Sequence, residues 1–153
     1  MKLARLYIDT SVFGGCLDDE FCKDSNRLVN AAKKGKVIFV LSDAVFEELI
    51  RTPIEVQNIL STIPNEMIEI LTATAMVAEL RDAYLKAKIL SNKSRNDAIH
   101  VAYATIARVD AIVSWNFRHI VRFDKIKSFN QVNFYSGYGI LQIVSPKEVL
   151  FDE

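Results

Sequence analysis

Val37-Ile38-Phe39-Val40-Leu41 is an unbroken, partly β-branched apolar run. A strand with one wet face alternates apolar and polar residues, so a continuous run predicts a strand covered on both sides. Shorter apolar runs predict strands over residues 3–8, 67–71, 111–113 and 140–144. Helical spacing fills the intervals. Leu28, Val29, Ala31 and Ala32 supply one face of a helix over 18–34, which Gly35 ends. Ser42 or Asp43 caps a second helix that carries Ala44, Val45, Phe46, Leu49 and Ile50. Thr52-Pro53 breaks it, and another helix runs to about residue 62. Thr72 opens a long helix to roughly residue 90, and a polar connection over 91–94 follows. The segment 96–108 is apolar on most sides, through Ala98, Ile99, Val101, Ala102, Tyr103, Ala104, Ile106 and Ala107, which predicts a buried helix. Pro146 opens a short final helix.

Strands alternating with helices predict the α/β class, as a three-layer α/β/α sandwich around a parallel sheet. No repeat, low-complexity segment or Pro/Gly-rich linker divides the 153 residues, so one domain over 1–153 is expected. Lys+Arg and Asp+Glu number 19 each, giving a formal net charge of zero. That balance argues against a strongly basic, non-specific nucleic-acid binder and leaves room for a local basic face. Cys16 and Cys22 do not form a Cys-x-x-Cys pair, and no zinc-spaced Cys/His set accompanies them. They are expected to be buried, reduced thiols of a cytoplasmic protein. Asp9 interrupts the first apolar stretch before a signal-peptide core forms, and no run is long enough to span a bilayer, so no membrane association is expected.

The candidate chemistry lies at the ends of the predicted strands. Asp9 follows the first, Glu47 and Glu48 lie on the helix after the second, Asp97 opens the buried helix, and Ser114 and Asn116 follow the fourth. A parallel sheet puts all these ends on one edge, where open α/β folds bind ligands. Each residue also has a plainer reading. Asp9 suits a helix cap, and Asp97 suits a cap or a first-turn acid that favours the helix dipole. Glu47 and Glu48 differ by about 100° around a helix, so only one faces a given point. Carboxylates that converge repel one another, and a hard divalent cation, Mg²⁺ or Mn²⁺, is the physical remedy. Such an ion activates water at a phosphodiester. The other chemistries lack their signatures: no Gly-rich phosphate loop, no Gly-x-Ser-x-Gly elbow and no Asp-x-Asp pair after the first strand. Of the two histidines, His100 is expected to be packed and hydrogen-bonded, and His119 to be a surface or loop residue.

Four stretches together resemble the PIN-domain family. "YIDTSVFGG" is similar to its first strand ending in a metal-binding Asp, and "LSDAVFEEL" to the segment bearing its Glu. "RNDAIHVAYATIARVDAIVSWNFRHI" resembles its Asp-Ala-x-His-x-Ala helix and following strand, and is the most specific of the four. "SGYGILQIVSPKEVL" resembles the tail of one bacterial subgroup. The likeness covers nearly the whole chain in order. It implies a metal-dependent endoribonuclease of single-stranded RNA, often the toxin of a VapC-type toxin–antitoxin pair. On that resemblance Asp9, Glu48 and Asp97 match the metal-binding acids, with Glu47 as the fallback for Glu48. Asn116 falls where many members carry a fourth Asp in the catalytic set. An amide supplies no charge and cannot act as a base, though its carbonyl can coordinate a metal or position water. Ser114 matches a small hydroxyl residue that orients a neighbouring acid.

RNA must also be held, and Arg118, Arg122, Lys125 and Lys127 follow the Asn116 segment, with Arg95 nearby in sequence terms to Asp97. They are phosphate contacts or a solvated basic face. Trp115 stacks on a base or packs internally. The resemblance also implies an antitoxin partner and a homodimer, with Phe13, Phe21, Phe46 and Phe134 available for exposed patches. The competing reading is a catalytically weak PIN-fold binding module acting through protein or RNA partners, which Asn116 and the zero net charge favour.

Overall fold

Leu6, Tyr7 and Ile8 form the buried end of strand β1 (Ala4–Ile8), the centre of the sheet. The computed structural model describes residues 2–151. On one side of β1 lies β2 (Val37–Ser42), with Leu6 opposite Phe39, and beyond it β3 (Ile68–Leu71). On the other side lie β4 (Ala111–Val113), with Ile8 opposite Val113, and β5 (Ile143–Val144). All pairs are parallel and the order is β3-β2-β1-β4-β5. Phe39, Val40 and Leu41 are completely buried, as the continuous apolar run requires of a strand flanked on both sides and covered on both faces.

The helices are α1 (Thr10–Gly15), α2 (Cys22–Lys33), α3 (Asp43–Leu49), α4 (Ile54–Ser61), α5 (Ala75–Lys86), α6 (Arg95–Ile106) and α7 (Phe123–Tyr135). They flank the parallel sheet, giving the α/β/α architecture that the alternation predicted. Helix α6 buries Ala98, His100, Val101, Ala102, Tyr103, Ala104 and Thr105, which accounts for its apolar circumference.

Several boundaries differ from those the pattern predicted. The helix expected over 18–34 begins at Cys22. Before it, the Asp18 carboxylate accepts from the backbone N–H groups of Glu20 and Phe21 and so closes a turn. The short α1 carries too few residues and too many glycines to stand out as a helix. The long helix expected from Thr72 starts after Thr74, whose hydroxyl accepts from the N–H of Val77 as an N-cap, and it ends at Lys86. The strand expected over 140–144 is cut to Ile143–Val144, because the three-residue β4 offers it only Ile112 and Val113 as partners. The final helix is a single 3₁₀ turn, Pro146–Glu148.

The pattern also overlooked α7. Its buried residues are Phe129 and Asn133, so its inward face includes an amide. That amide is completed by neighbours far away in the chain: the Tyr84 hydroxyl donates to Asn133 Oδ1, and Asn133 Nδ2 donates to Thr105 Oγ1. Phe13 is fully buried in the core, so it belongs to no exposed patch; Phe21 and Phe46 are partly buried, and only Phe134 of the four is exposed. Cys16 is buried, and its burial pushes the thiol up to about 11, which makes it inert, whereas Cys22 is half-buried rather than buried. Among the described residues no helix is long and apolar enough to cross a membrane.

Candidate active site

The chain runs outward from β1 through β2 to β3, then returns to place β4 on the other side of β1. The two directions part between β1 and β4, and that reversal opens a crevice at their carboxyl ends. Asp9 and Ser114 are the first residues past those two strands. A cleft of about 650 Å³ lies there, with Asp9, Glu48, Asp97 and Asn116 in its walls together with Thr10 and Arg51.

Asp9 is the N-cap residue of α1, yet its side chain makes no capping bond. Its Oδ2 instead accepts from the Ser11 hydroxyl at 2.8 Å and the Ser114 hydroxyl at 2.7 Å. The dull reading of Asp9 as a cap is therefore not how the carboxylate is used. Asp9 is only 6% exposed, so those two donors hold a nearly buried charge in one orientation.

Starting α3 at Asp43 turns Glu48 toward the cleft and leaves Glu47 exposed. Glu48 Oε1 accepts from Thr10 Oγ1 at 2.6 Å and lies 2.7 Å from His100 Nε2. His100 is fully buried, one turn along α6 from Asp97. Its Nδ1 meets the Tyr7 hydroxyl at 2.7 Å, and that hydroxyl meets Ser42 Oγ at 2.7 Å. Its Nε2 also lies 3.6 Å from Asp9 Oδ1. A chain of polar contacts thus runs from Ser42 through Tyr7 and His100 to Glu48 and Thr10. Among the described residues no buried side-chain nitrogen or oxygen lacks a partner.

His100 is packed and hydrogen-bonded as expected, and it also reaches the acids. Asp9, Glu48 and His100 each present an atom within 4.8 Å of the others. Asp97 stands outside that tight group but near enough for the Asp9 charge to act on it. Its Oδ2 accepts from His119 Nδ1 at 2.9 Å, so His119, a loop residue as expected, also contacts one of the acids. Asn116 Oδ1 accepts from the backbone N–H of His119 at 2.9 Å. Trp115 is packed: it stacks on Phe21 with centroids 4.1 Å apart, and its ring N–H donates to Ser25 Oγ at 2.7 Å.

The basic residues divide. Arg95 and Arg118 are exposed and Arg122 is held by Asp124 at 2.6 and 2.8 Å; none of the three forms the cleft wall. Lys125 donates to the carbonyl of Ile89, and Lys127 is exposed. Arg51 does reach the cleft, and it is not one of the salt-bridged arginines, Arg5, Arg27, Arg81 and Arg122, of the described residues. Sequence reasoning passed over it, although Arg51 lies three residues after Glu48 and so on the same side of the helix end. No such spacing points to His119, which meets Asp97 only through the fold.

Burial pushes the Asp97 carboxyl up, and the Asp9 charge adds to that, against the opposing hydrogen bond from His119. Burial also raises Glu48, but the His100 and Thr10 hydrogen bonds and the His100 charge outweigh it and leave Glu48 below its ordinary value. Burial lowers His100, while the hydrogen bond to Glu48 and the charges of Asp9, Glu48 and Asp97 outweigh it and hold the imidazole above its ordinary value. A histidine raised in the folded state stabilises fully below its unfolded value of about 6.5, and that stability is lost as pH rises through the higher folded value. In chelator, melting temperature is accordingly expected to fall as pH rises above about 6.5. A His100→Gln variant should flatten that slope in thermal melts.

A family model of the PIN domain matches residues 5–118. A comparison with curated proteins finds no match. Among solved structures, the chain is similar to Mycobacterium tuberculosis VapC20, described as a sarcin-ricin loop cleaving toxin, at 15% identity, a TM-score of 0.58, and coverage of 74% of this chain and 92% of that one. It is similar to a chain of VapBC2 from Rickettsia felis bound to a DNA fragment from their promoter, at 14% identity and a TM-score of 0.54, covering 92% and 98%. It is also similar to a chain of FitAB bound to an IR36 DNA fragment, at 12% identity and a TM-score of 0.57, covering 97% and 99%.

Proposed function

The chain belongs to the PIN domain family, and from that premise we propose a divalent-metal-dependent endoribonuclease that hydrolyses phosphodiester bonds of single-stranded RNA as the toxin of a toxin–antitoxin pair. The observation that carries the reading is convergence. Asp9, Glu48 and Asp97 come from three separate segments, yet they share one cleft at the sheet's reversal point. Three carboxylates so placed are poorly explained by packing, since each like charge destabilises the others.

The donor set fits a cation. Carboxylate oxygens of Asp9 and Glu48 lie within 4.8 Å of each other and of His100, and hard oxygen donors suit Mg²⁺ or Mn²⁺. Asp9, Glu48 and Asp97 would hold the ion, which when bound supplies an activated water and stabilisation of charge developing on the phosphate. The protein's own residues prepare that arrangement. Ser11 and Ser114 orient Asp9; Thr10 and His100 orient Glu48; Tyr7 and Ser42 lock His100 from behind. Arg51 is placed to take a substrate phosphate, with Arg95, Arg118 and Arg122 as outer contacts for longer RNA. An antitoxin is the proposed partner, supported by the likeness to VapC20, which is described as a toxin. Exposed Phe123, Phe134, Tyr135 and Ile140 supply apolar area for a homodimer.

Asn116 in place of an acid favours the second reading, a PIN-fold module that binds without cutting efficiently. One assay separates the two. Labelled single-stranded RNA is incubated with the protein in Mn²⁺ or in chelator. Cleavage in Mn²⁺ alone, lost in Glu48→Gln, is expected. RNA retained intact on the protein in a mobility-shift assay would favour the binding module, and neither binding nor cleavage would overturn both. Arg51→Ala is expected to raise KM by about tenfold, the scale of one charge-assisted hydrogen bond, with a smaller effect on kcat because the contact is made in ground and transition states alike.

A further inference from the structure

We infer that Asn116 is a positioning residue rather than a ligand: it joins the hydrogen bond from Ser114 to Asp9 with the hydrogen bond from His119 to Asp97, and so holds the two acids at a set separation. The inference rests on the nuclease reading for what the acids do, but not for the bonds themselves. The backbone N–H of Asn116 donates to Ser114 Oγ at 2.9 Å, and that hydroxyl donates to Asp9 Oδ2 at 2.7 Å. On the other side, Asn116 Oδ1 accepts from His119 N–H at 2.9 Å, and His119 Nδ1 donates to Asp97 Oδ2 at 2.9 Å. The carbonyl of Asn116 accepts from the N–H groups of Ile120 and Val121, at 3.1 and 2.8 Å. Three of the residue's four polar groups are therefore spent on the segment 114–121.

The arrangement explains why an amide serves here. An oxygen that accepts from the N–H three residues later is the geometry of a helix N-cap, which Asn, Asp and Ser all make. Aspartate would close the same turn, but with a further negative charge beside Asp9 and Asp97. Asparagine presents the same acceptor without that charge. His119 then reaches Asp97 from the loop, so this chain supports its third acid through an imidazole brought round by the turn.

The variants Asn116→Ala, Asn116→Ser, His119→Ala and His119→Asn distinguish the roles, with Mn²⁺ affinity measured by calorimetry and folding checked by thermal melts in chelator. Asn116→Ala and His119→Ala should each weaken Mn²⁺ binding by about 10–100-fold, the range for residues that orient metal ligands. The double variant should be no worse than the weaker single, since both interrupt one path. Asn116→Ser should restore most of the affinity, because serine closes the turn yet ends one atom short of the amide oxygen and cannot replace it as a ligand. His119→Asn should restore affinity by keeping a donor near Nδ1. Affinity that falls equally in the Ser and Ala variants at 116, with His119→Ala binding as wild type, would overturn the inference.

A metal-free readout separates this from the wider reading. The His119 Nδ1–H signal in nitrogen-15 spectra should be lost in Asn116→Ala and kept in Asn116→Ser. A signal that survives Asn116→Ala unchanged overturns the positioning role, whatever the metal does. A signal that behaves as expected in a protein that takes up no Mn²⁺ supports the positioning role and overturns the nuclease reading instead.

Discussion

The Asp9→Asn variant is expected to lose RNA cleavage and the Mn²⁺ response together, while keeping its fold. Asp9 is nearly buried, and both hydroxyls that hold its Oδ2 come from residues fixed by other bonds: Ser11 also accepts from the N–H of Trp115, and Ser114 from that of Asn116. An asparagine has the same shape and keeps an oxygen for those donors, so melting in chelator should stay within about 1–2 kcal/mol of wild type, as weakened hydrogen bonds and relieved repulsion offset one another. The chemistry has no such compensation. A ligand charge disappears from the centre of the cleft, so activity should fall by more than the ~10–100-fold that outer positions produce. Wild-type protein at a hundred times its Mn²⁺ dissociation constant gains about 2.7 kcal/mol by binding linkage, and the variant should gain almost none. Parallel melts with Mn²⁺ and with chelator, beside the RNA assay, measure all three effects. An Asp9→Asn protein stabilised by Mn²⁺ as strongly as wild type would remove Asp9 from the metal site.

Gly15→Ala is expected to be the most damaging small change to the fold around the cleft. A Cβ at position 15 would lie 2.5 Å from Ser25 Oγ, 2.6 Å from Trp115 Nε1 and 2.9 Å from Trp115 Cδ1. Those atoms are buried and hydrogen-bonded to each other, so neither side can yield without breaking the bond and the stack of Trp115 on Phe21. Overpacking of this kind costs about 1–3 kcal/mol, the broken buried bond about 1–3 more, and the helix propensity of alanine returns about 1. A net loss of about 1–5 kcal/mol in urea denaturation follows from these terms. Gly14→Ala is the matched control. A Cβ there meets nothing within 4 Å, so the same substitution one residue earlier should be neutral or stabilising by up to about 1 kcal/mol. Equal effects at the two positions would show that the packing of Trp115 does not depend on Gly15.

Apolar periodicity was enough to place the five strands, the buried α6 and the parallel sheet, because burial along one element leaves a direct mark on that element's own residues. It was enough, too, to put Asp9, the pair Glu47 and Glu48, Asp97 and Asn116 at strand or helix ends that a parallel sheet gathers on one edge, while the choice of Glu48 over Glu47 came from the family resemblance. What periodicity does not carry is anything completed from a distance. Helix α7 went unseen because its inward Asn133 is satisfied by Tyr84 and Thr105, far along the chain. The extent of β5 depended on how many residues β4 could pair with. His119 met Asp97, and Arg122 turned to Asp124, through contacts that no apolar pattern announces, whereas Arg51's place three residues after Glu48 was a legible signal that went unread. His100 could be expected to be packed, but its link to Glu48 required α3 and α6 to face each other across the cleft. The sequence by itself determined which residues bear charge and which segments must be buried; the tertiary structure alone decided which of those charges meet, because hydrogen bonds and Coulomb forces act over a few ångströms in space between groups that lie up to about a hundred residues apart in the chain.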